Sequence, residues 1–282
     1  ADSMQLYKDM DAGTAKPTPE QRRRVPHHLV DLFPASHEPT VAEFQTRARA
    51  AVADISSRGR LPLVVGGSGL YFRAVVDDLD FPPRDPGLRR RLEEESHEVG
   101  PEALHARLTH LDPIAAARIE PQNARRIVRA LEVIELTGAK FSANDSWERY
   151  ESRFDLRAAG LTRSRDELFP RIAERVDAML ARGLVAEAKA LEHTLGITGR
   201  QALGYRQVLE ADEDDDTAPV RDAIVRATKR FARRQESWFR ADPRIAWFEA
   251  SSPTIVDDLV AYLAGSGEQG ESAQFTRERT VP

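Results

Sequence analysis

Residues 61–72 read LPLVVGGSGLYF. The first five form a short continuous apolar run, with Pro62 inside it and glycines after it. That is the pattern of a strand buried on both faces in a parallel sheet. GGSG (66–69) then turns the chain into LYFRAVV (70–76), a second apolar segment. Strand, glycine loop, helix is the grammar of α/β proteins, so the stretch predicts an α/β core built on a parallel sheet. The loop lacks a Lys followed by Ser or Thr and is not a nucleotide-binding P-loop. Its backbone N–H groups suit an anion or substrate at a helix N-terminus, and equally a tight turn without a ligand.

Outward from this stretch, the pattern extends in both directions. Upstream, Thr40 and Glu43 have capping-box spacing, and Val41, Phe44, Ala48, Val52 and Ile55 follow as a helical stripe that Gly59 ends. Downstream, FPPRDP (81–86) is a proline-rich joint into helical patterns. Leu104, Leu108 and Leu111 share one face; Ile127, Leu131 and Ile134 share another, closed by Gly138. Residues 139–153 are polar and read as a loop, and RFDLRAAGL (153–161) as a return strand. Ser164 and Glu167 cap a further helix with an apolar stripe at Leu168, Ile172, Val176 and Met179; Pro170 lies inside it. Residues 220–240 form a long helix, 244–250 a last strand and 254–264 a last helix. The expected organisation is a core of 1–80 and 146–264, an inserted helical lobe at 81–145, and a disordered tail at 265–282.

Composition narrows the function. Without cysteine, thiolate metal sites and cysteine nucleophiles are excluded. No apolar run approaches the ~18 residues of a membrane span, and a cytoplasmic location is expected. The net charge of −5 argues against a nucleic-acid partner, but its distribution does not. Residues 221–240 hold seven basic side chains against two acidic ones, just after an acidic run of Glu210 and Asp212 to Asp216.

Candidate sites follow from residue type. Asp2, in DSMQLY, suits a proton acceptor for a substrate amine; Asp and Ser in that setting also cap turns. MDAGTAKPTPEQ (10–21) reads as a rigid exposed loop whose Lys16 suits phosphate contact, or as a plain surface loop. Arg125 and Arg129 are one helical turn apart, with Arg126 beside them, and suit a phosphate track or a solvated face. Arg171 and Arg175 are spaced likewise, and the planar guanidinium fork matches a diphosphate; surface ion pairs would look the same. ATKRFARRQESWFR (227–240) interleaves cations with Trp238 and Phe239, which are expected in the core.

The order of these blocks resembles one family. DSMQLY…MDAGTAKP, PHHLVDLFP, VVGGSGLYF…VVDDL, DPIAAARIEPQNARRIVRALEVIELTG, LTRSRDELFPRIAERVDAMLARGLVAEAKAL, QALGYRQV and TKRFARRQESWFR follow one another as in the bacterial tRNA dimethylallyltransferases, the tRNA isopentenyltransferase family. The likeness covers about residues 1–250. It implies a P-loop-NTPase-like parallel sheet with an inserted helical tRNA-binding lobe. It implies transfer of a dimethylallyl group from dimethylallyl diphosphate to the exocyclic amine of the adenosine 3′-adjacent to the anticodon, with Mg2+, in a monomer. Matched by motif, Asp2 is the base, and Asp2, Ser3, Met4 and Gln5 contact tRNA. Ser68, Arg89, Arg125, Arg126, Arg129 and the stretch Gln201, Gly204, Tyr205 and Arg206 match further tRNA contacts. Arg175 matches the diphosphate arginine. Lys229 stands where the family has an arginine in the diphosphate-binding set.

Family members place a strand, a P-loop and a helix before the DS motif. No such segment precedes Asp2, so the sequence is expected to be a truncated record, with activity depending on the missing P-loop. Two neighbouring readings stay open: a transferase acting on free adenine nucleotides, and a tRNA-binding protein without catalysis. The lobe and the basic 221–240 helix favour tRNA.

Overall fold

The computed structural model describes residues 1–144, 146, 147, 149–211 and 217–265. The chain divides into two compact units. One takes in the described residues of Ala1–Glu38, Leu61–Gly69 and Phe154–Pro282; the other takes in Pro39–Arg60 and Leu70–Arg153.

In chain order, α1 (Pro19–Arg24) is a short helix capped by Thr18. α2 (Val41–Ser57) starts where its capping residue predicts, with Thr40 accepting from the Glu43 N–H at 3.0 Å. α3 (Gly69–Val76) follows the glycine turn. Phe44 of α2 packs edge-on against Tyr71, and Arg49 donates to the carbonyls of Val75 and Asp77 at the end of α3.

Beyond the proline joint, α4 (Pro86–Val99), α5 (Pro101–Leu111), α6 (Pro113–Ala117) and α7 (Ala124–Thr137) pack around Leu92, Leu104, Leu108, Ile127, Val128 and Leu131. Gly138 ends α7 in the left-handed conformation, a position that favours glycine because it has no Cβ. Asp112 is buried at the corner between α5 and α6. It accepts from Ala115 N, Ser142 N and Ser142 Oγ, tying the chain after α7 to that corner. Burial works against its carboxylate, yet these donors outweigh it and hold the group below its ordinary value.

The other unit contains the sheet. β1 (Ala158–Thr162) and β2 (Ile245–Glu249) run parallel, with Gly160 opposite Trp247. Between them come α8 (Arg165–Ala181), α9 (Leu184–Leu191), α10 (Ile197–Arg200), α11 (Tyr205–Leu209) and α12 (Thr217–Arg240). α8 and α12 pack together, clamped by two bonds from Arg221 to Asp177. α13 (Ile255–Ala264) covers the strands, with Tyr262 against Phe248.

Three expectations change. Residues 61–65 are not a buried strand: Leu61, Leu63 and Val65 are exposed, and the run joins no ladder among the described residues. An apolar run becomes a buried strand only where neighbours cover it, and none of the described residues does so here. The return strand begins at Ala158 rather than 153, after a segment without regular structure. Trp238 is a third exposed rather than buried in the core. The expected tail from 266 onward and the acidic residues Asp212 to Asp216 lie outside the described residues.

Candidate functional site

The glycine turn is defined by what presses on it. Ser68 N donates to Ala1 O at 3.3 Å, and Ala1 N reaches Val65 O at 2.6 Å. Gln235 of α12 donates to Gly67 O at 2.8 Å, and the Trp238 ring lies where a Cβ on Gly69 would stand. A Cβ on Gly66 would strike the Ala1 carbonyl, and one on Gly67 the Gln235 amide. Close approach therefore demands glycine at 66, against backbone, and at 69, against the Trp238 ring, and Ser68 is the turn's one side chain beyond a hydrogen.

Asp2 follows directly on this junction. Its Oδ1 accepts from Met4 N at 2.9 Å, closing an Asx turn, so the turn-capping role is present. Oδ2 accepts no hydrogen bond from the described residues, and the side chain is half-buried. Gln5 donates from Nε2 to the carbonyls of Thr14 and Ala15, both at 3.2 Å.

The loop after it is a closed structure rather than an exposed phosphate contact, which corrects the expectation for Lys16. Its ammonium is 4% exposed and bonds Asp11 and Asp31, each at 2.6 Å, and Tyr7 O at 2.5 Å. Burial favours a neutral Asp31, but Lys16 and Arg22 outweigh it and hold the carboxyl below its ordinary range. With all three donors engaged, Lys16 shapes the loop.

The QALGYR stretch divides by burial. Tyr205 is fully buried, so its side chain does not present to a macromolecule; its hydroxyl donates to Glu187, and Gly13 N lies at 3.4 Å from it. Burial first, then the Glu187 carboxylate, push the phenol well above its ordinary value. Gly204, with φ of 92°, starts α11 where a side chain would be strained. Gln201 and Arg206 are exposed, Arg206 pairing with Glu210 at 2.8 Å.

On α8, Arg171 and Arg175 are exposed and have no acceptor among the described residues. Pro170 sits six residues into the helix, which continues past it to Ala181. Phe169 is stacked by two cations of α12, Lys229 at 4.9 Å and Arg233 at 5.5 Å from the ring centre.

In the helical unit, the matched arginines split into two kinds. Arg125 and Arg126 are exposed. Arg129 is committed: it donates to Glu132 at 2.7 Å and to the carbonyls of Pro82 and Pro83 at 2.7 and 3.0 Å. Arg89 reaches the same Glu132 at 3.3 Å and Glu93 at 3.1 Å.

Glu132 and Glu187 were not singled out in the sequence. Each has a signal there: Glu132 falls one turn after Val128 on the apolar side of α7, and Glu187 lies beside the buried Leu184 and Ala188 of α9. Among the described residues no group of three or more His, Asp or Glu side chains is placed to hold a metal ion.

A sheet with parallel strands, a glycine turn pinned by a basic helix, and a carboxylate beside that turn define an α/β transferase of the P-loop-NTPase-like class. The chain belongs to the IPP transferase family, whose model matches residues 5–242. It is 53% identical over 271 residues to the tRNA dimethylallyltransferase of Thermobifida fusca, covering 93% of this chain and 83% of that one. The crystal structure of the full-length tRNA isopentenylpyrophosphate transferase from Bacillus halodurans superposes with a TM-score of 0.66 at 39% identity, covering 94% and 86% of the two chains. A eukaryotic dimethylallyltransferase acting on tRNA shares the fold at a TM-score of 0.78 and 24% identity, over 96% of this chain and 74% of that one.

Proposed function

We propose that the chain transfers a dimethylallyl group from dimethylallyl diphosphate to the exocyclic amine of the adenosine 3′ to the anticodon in tRNA. The observation that carries this is Asp2: one carboxylate oxygen is fixed by Met4 N, and the other is left for a substrate. An adenine amine is a weak nucleophile because its lone pair is delocalised into the ring. A base at its hydrogen and cations at the leaving group are what the step needs.

In the proposed step the amine nitrogen bonds to the first carbon of the dimethylallyl group. The carbon–oxygen bond breaks with its electron pair going to the diphosphate, and the amine proton passes to Asp2. Arg175 and Lys229 meet the charge that grows on the diphosphate. Asp2, Ser3, Met4, Gln5 and Ser68 contact the tRNA near the reacting base, which must leave its stack to be reached. Gln201 and Arg206, and in the helical unit Arg89, Arg125 and Arg126, contact the tRNA elsewhere. Tyr205 and Gly204 act by holding their stretch in place.

The functional division into a core of 1–80 and 146–264 and an RNA-binding lobe of 81–145 belongs to the same proposal, as do a monomer and a cytoplasmic place of action. No described helix is long and apolar enough to cross a membrane. Mg2+ is the expected companion of the diphosphate, and no step here runs through it.

The test is incubation of the full-length protein with a tRNA transcript, AMP and dimethylallyl diphosphate, followed by nuclease digestion and mass analysis. Dimethylallyl adenosine from the position after the anticodon is the expected product. Modified AMP in its place would make free nucleotides the substrate, and no product would make the protein a non-catalytic tRNA binder.

A further inference from the structure

The proline joint into α4 is nailed down around one arginine. Before Arg84, the carbonyls of Pro82 and Pro83 accept from Arg129. After it, Asp85 N donates to Glu132 at 3.2 Å, and Asp85 Oδ1 accepts from Leu88 N at 2.6 Å at the start of α4. Glu132, with no exposure at all, is the centre of this frame and is closed by Arg89 and Arg129. The proline rings at 82, 83 and 86 remove further backbone freedom.

Arg84 itself is exposed and has no hydrogen-bond acceptor among the described residues. The charges that bear on it are Arg89, Arg129 and Arg125 against Glu132 alone. Desolvation and these arginines lower its guanidinium from the ordinary value. Asp85 is turned to the amides of α4, and Glu93 pairs with Arg89. A guanidinium carried on a fixed stretch of backbone among like charges, with its fork unused, is a place for an anion.

We propose that Arg84 binds one backbone phosphate of RNA, and that Arg129 and Glu132 are positioning residues which aim it. This rests on the tRNA reading above and deepens it. It also changes the role of Arg129, whose donors are spent on the joint, from phosphate contact to framework. A planar fork on a fixed backbone favours two-bond recognition of phosphate oxygens over a diffuse cationic surface.

The experiment is binding of an anticodon stem-loop RNA to the full-length protein at several salt concentrations. Arg84→Ala should flatten the plot of log affinity against log salt by about one unit, the size of one lost phosphate contact. Arg84→Lys, which keeps the charge but not the fork, should restore most of the slope and less of the affinity. Arg47→Ala, which removes the same charge from an arginine paired with Glu43, should leave the slope alone. Arg129→Ala should lower the melting temperature as well as the slope. If Arg84→Ala keeps the wild-type slope, the site is overturned while tRNA binding stands. If the wild-type protein shows no salt-dependent RNA binding, the underlying reading falls instead.

Discussion

The hydroxyl of Tyr205 donates to the carboxylate of Glu187, and the same carboxylate accepts the backbone N–H groups of Asp11 and Ala12 at 3.0 and 3.1 Å. Two residues far along the chain thereby hold the loop whose carbonyls at 14 and 15 fix Gln5. Part of the order at the proposed acceptor segment therefore comes from α9 and α11.

Tyr205→Phe removes one bond from this carboxylate, so it should cost roughly 1–3 kcal/mol of stability, measured by urea unfolding. The variant should bind tRNA less well, because Gln5 is less well held. The pH dependence has a definite sign. The Tyr205 phenol is raised in the folded state, so its contribution is complete below its unfolded value near ~10 and is lost as pH rises toward the folded value. The wild type should therefore lose more stability above about pH 10 than Tyr205→Phe does; equal losses would show that the phenol is not held neutral by Glu187.

Arg73 and Asp77 form a buried pair at 2.5 Å, and the same guanidinium bonds the carbonyls of Trp147 at 2.7 Å and Arg149 at 2.5 Å beneath the Tyr150 ring. Asp77→Ala leaves a buried cation uncompensated and should destabilise the protein by about 3–5 kcal/mol. Limited proteolysis should show cleavage at 146–150 at lower protease concentration than in the wild type. An unchanged pattern would mean that other contacts hold that segment.

Arg175→Ala should slow the chemical step by an amount equivalent to about 2–4 kcal/mol, the size of losing one preorganised electrostatic donor at growing charge. Single-turnover rates at saturating tRNA measure this. Arg126→Ala should leave that rate alone and weaken tRNA binding in a salt-dependent way. An Arg175→Ala protein with wild-type single-turnover rates would remove that residue from the diphosphate.

Much of the architecture was legible because helix starts and stops are local. Thr40, Ser164 and Gly138 each stand at the helix end where their chemistry places them. Residues 61–65 failed because a buried strand depends on neighbours that local pattern does not contain. The role of Lys16 was illegible for a similar reason. Asp31, which captures it, is fifteen residues away, and a lysine in a turn-rich loop looks the same paired or unpaired. Asp2 was legible as a turn cap, which one of its oxygens makes; its reading as a base rests on the other oxygen and belongs to the proposal.

Asp2→Asn separates those two roles. The asparagine oxygen still accepts from Met4 N, so the turn survives, while the side chain no longer takes a proton at neutral pH. Single-turnover dimethylallyl transfer by the full-length Asp2→Asn protein at saturating tRNA is the most direct measurement. The rate should fall by about 10²-fold or more, with tRNA affinity little changed. A rate close to wild type would contradict the account and leave Asp2 as a turn cap alone.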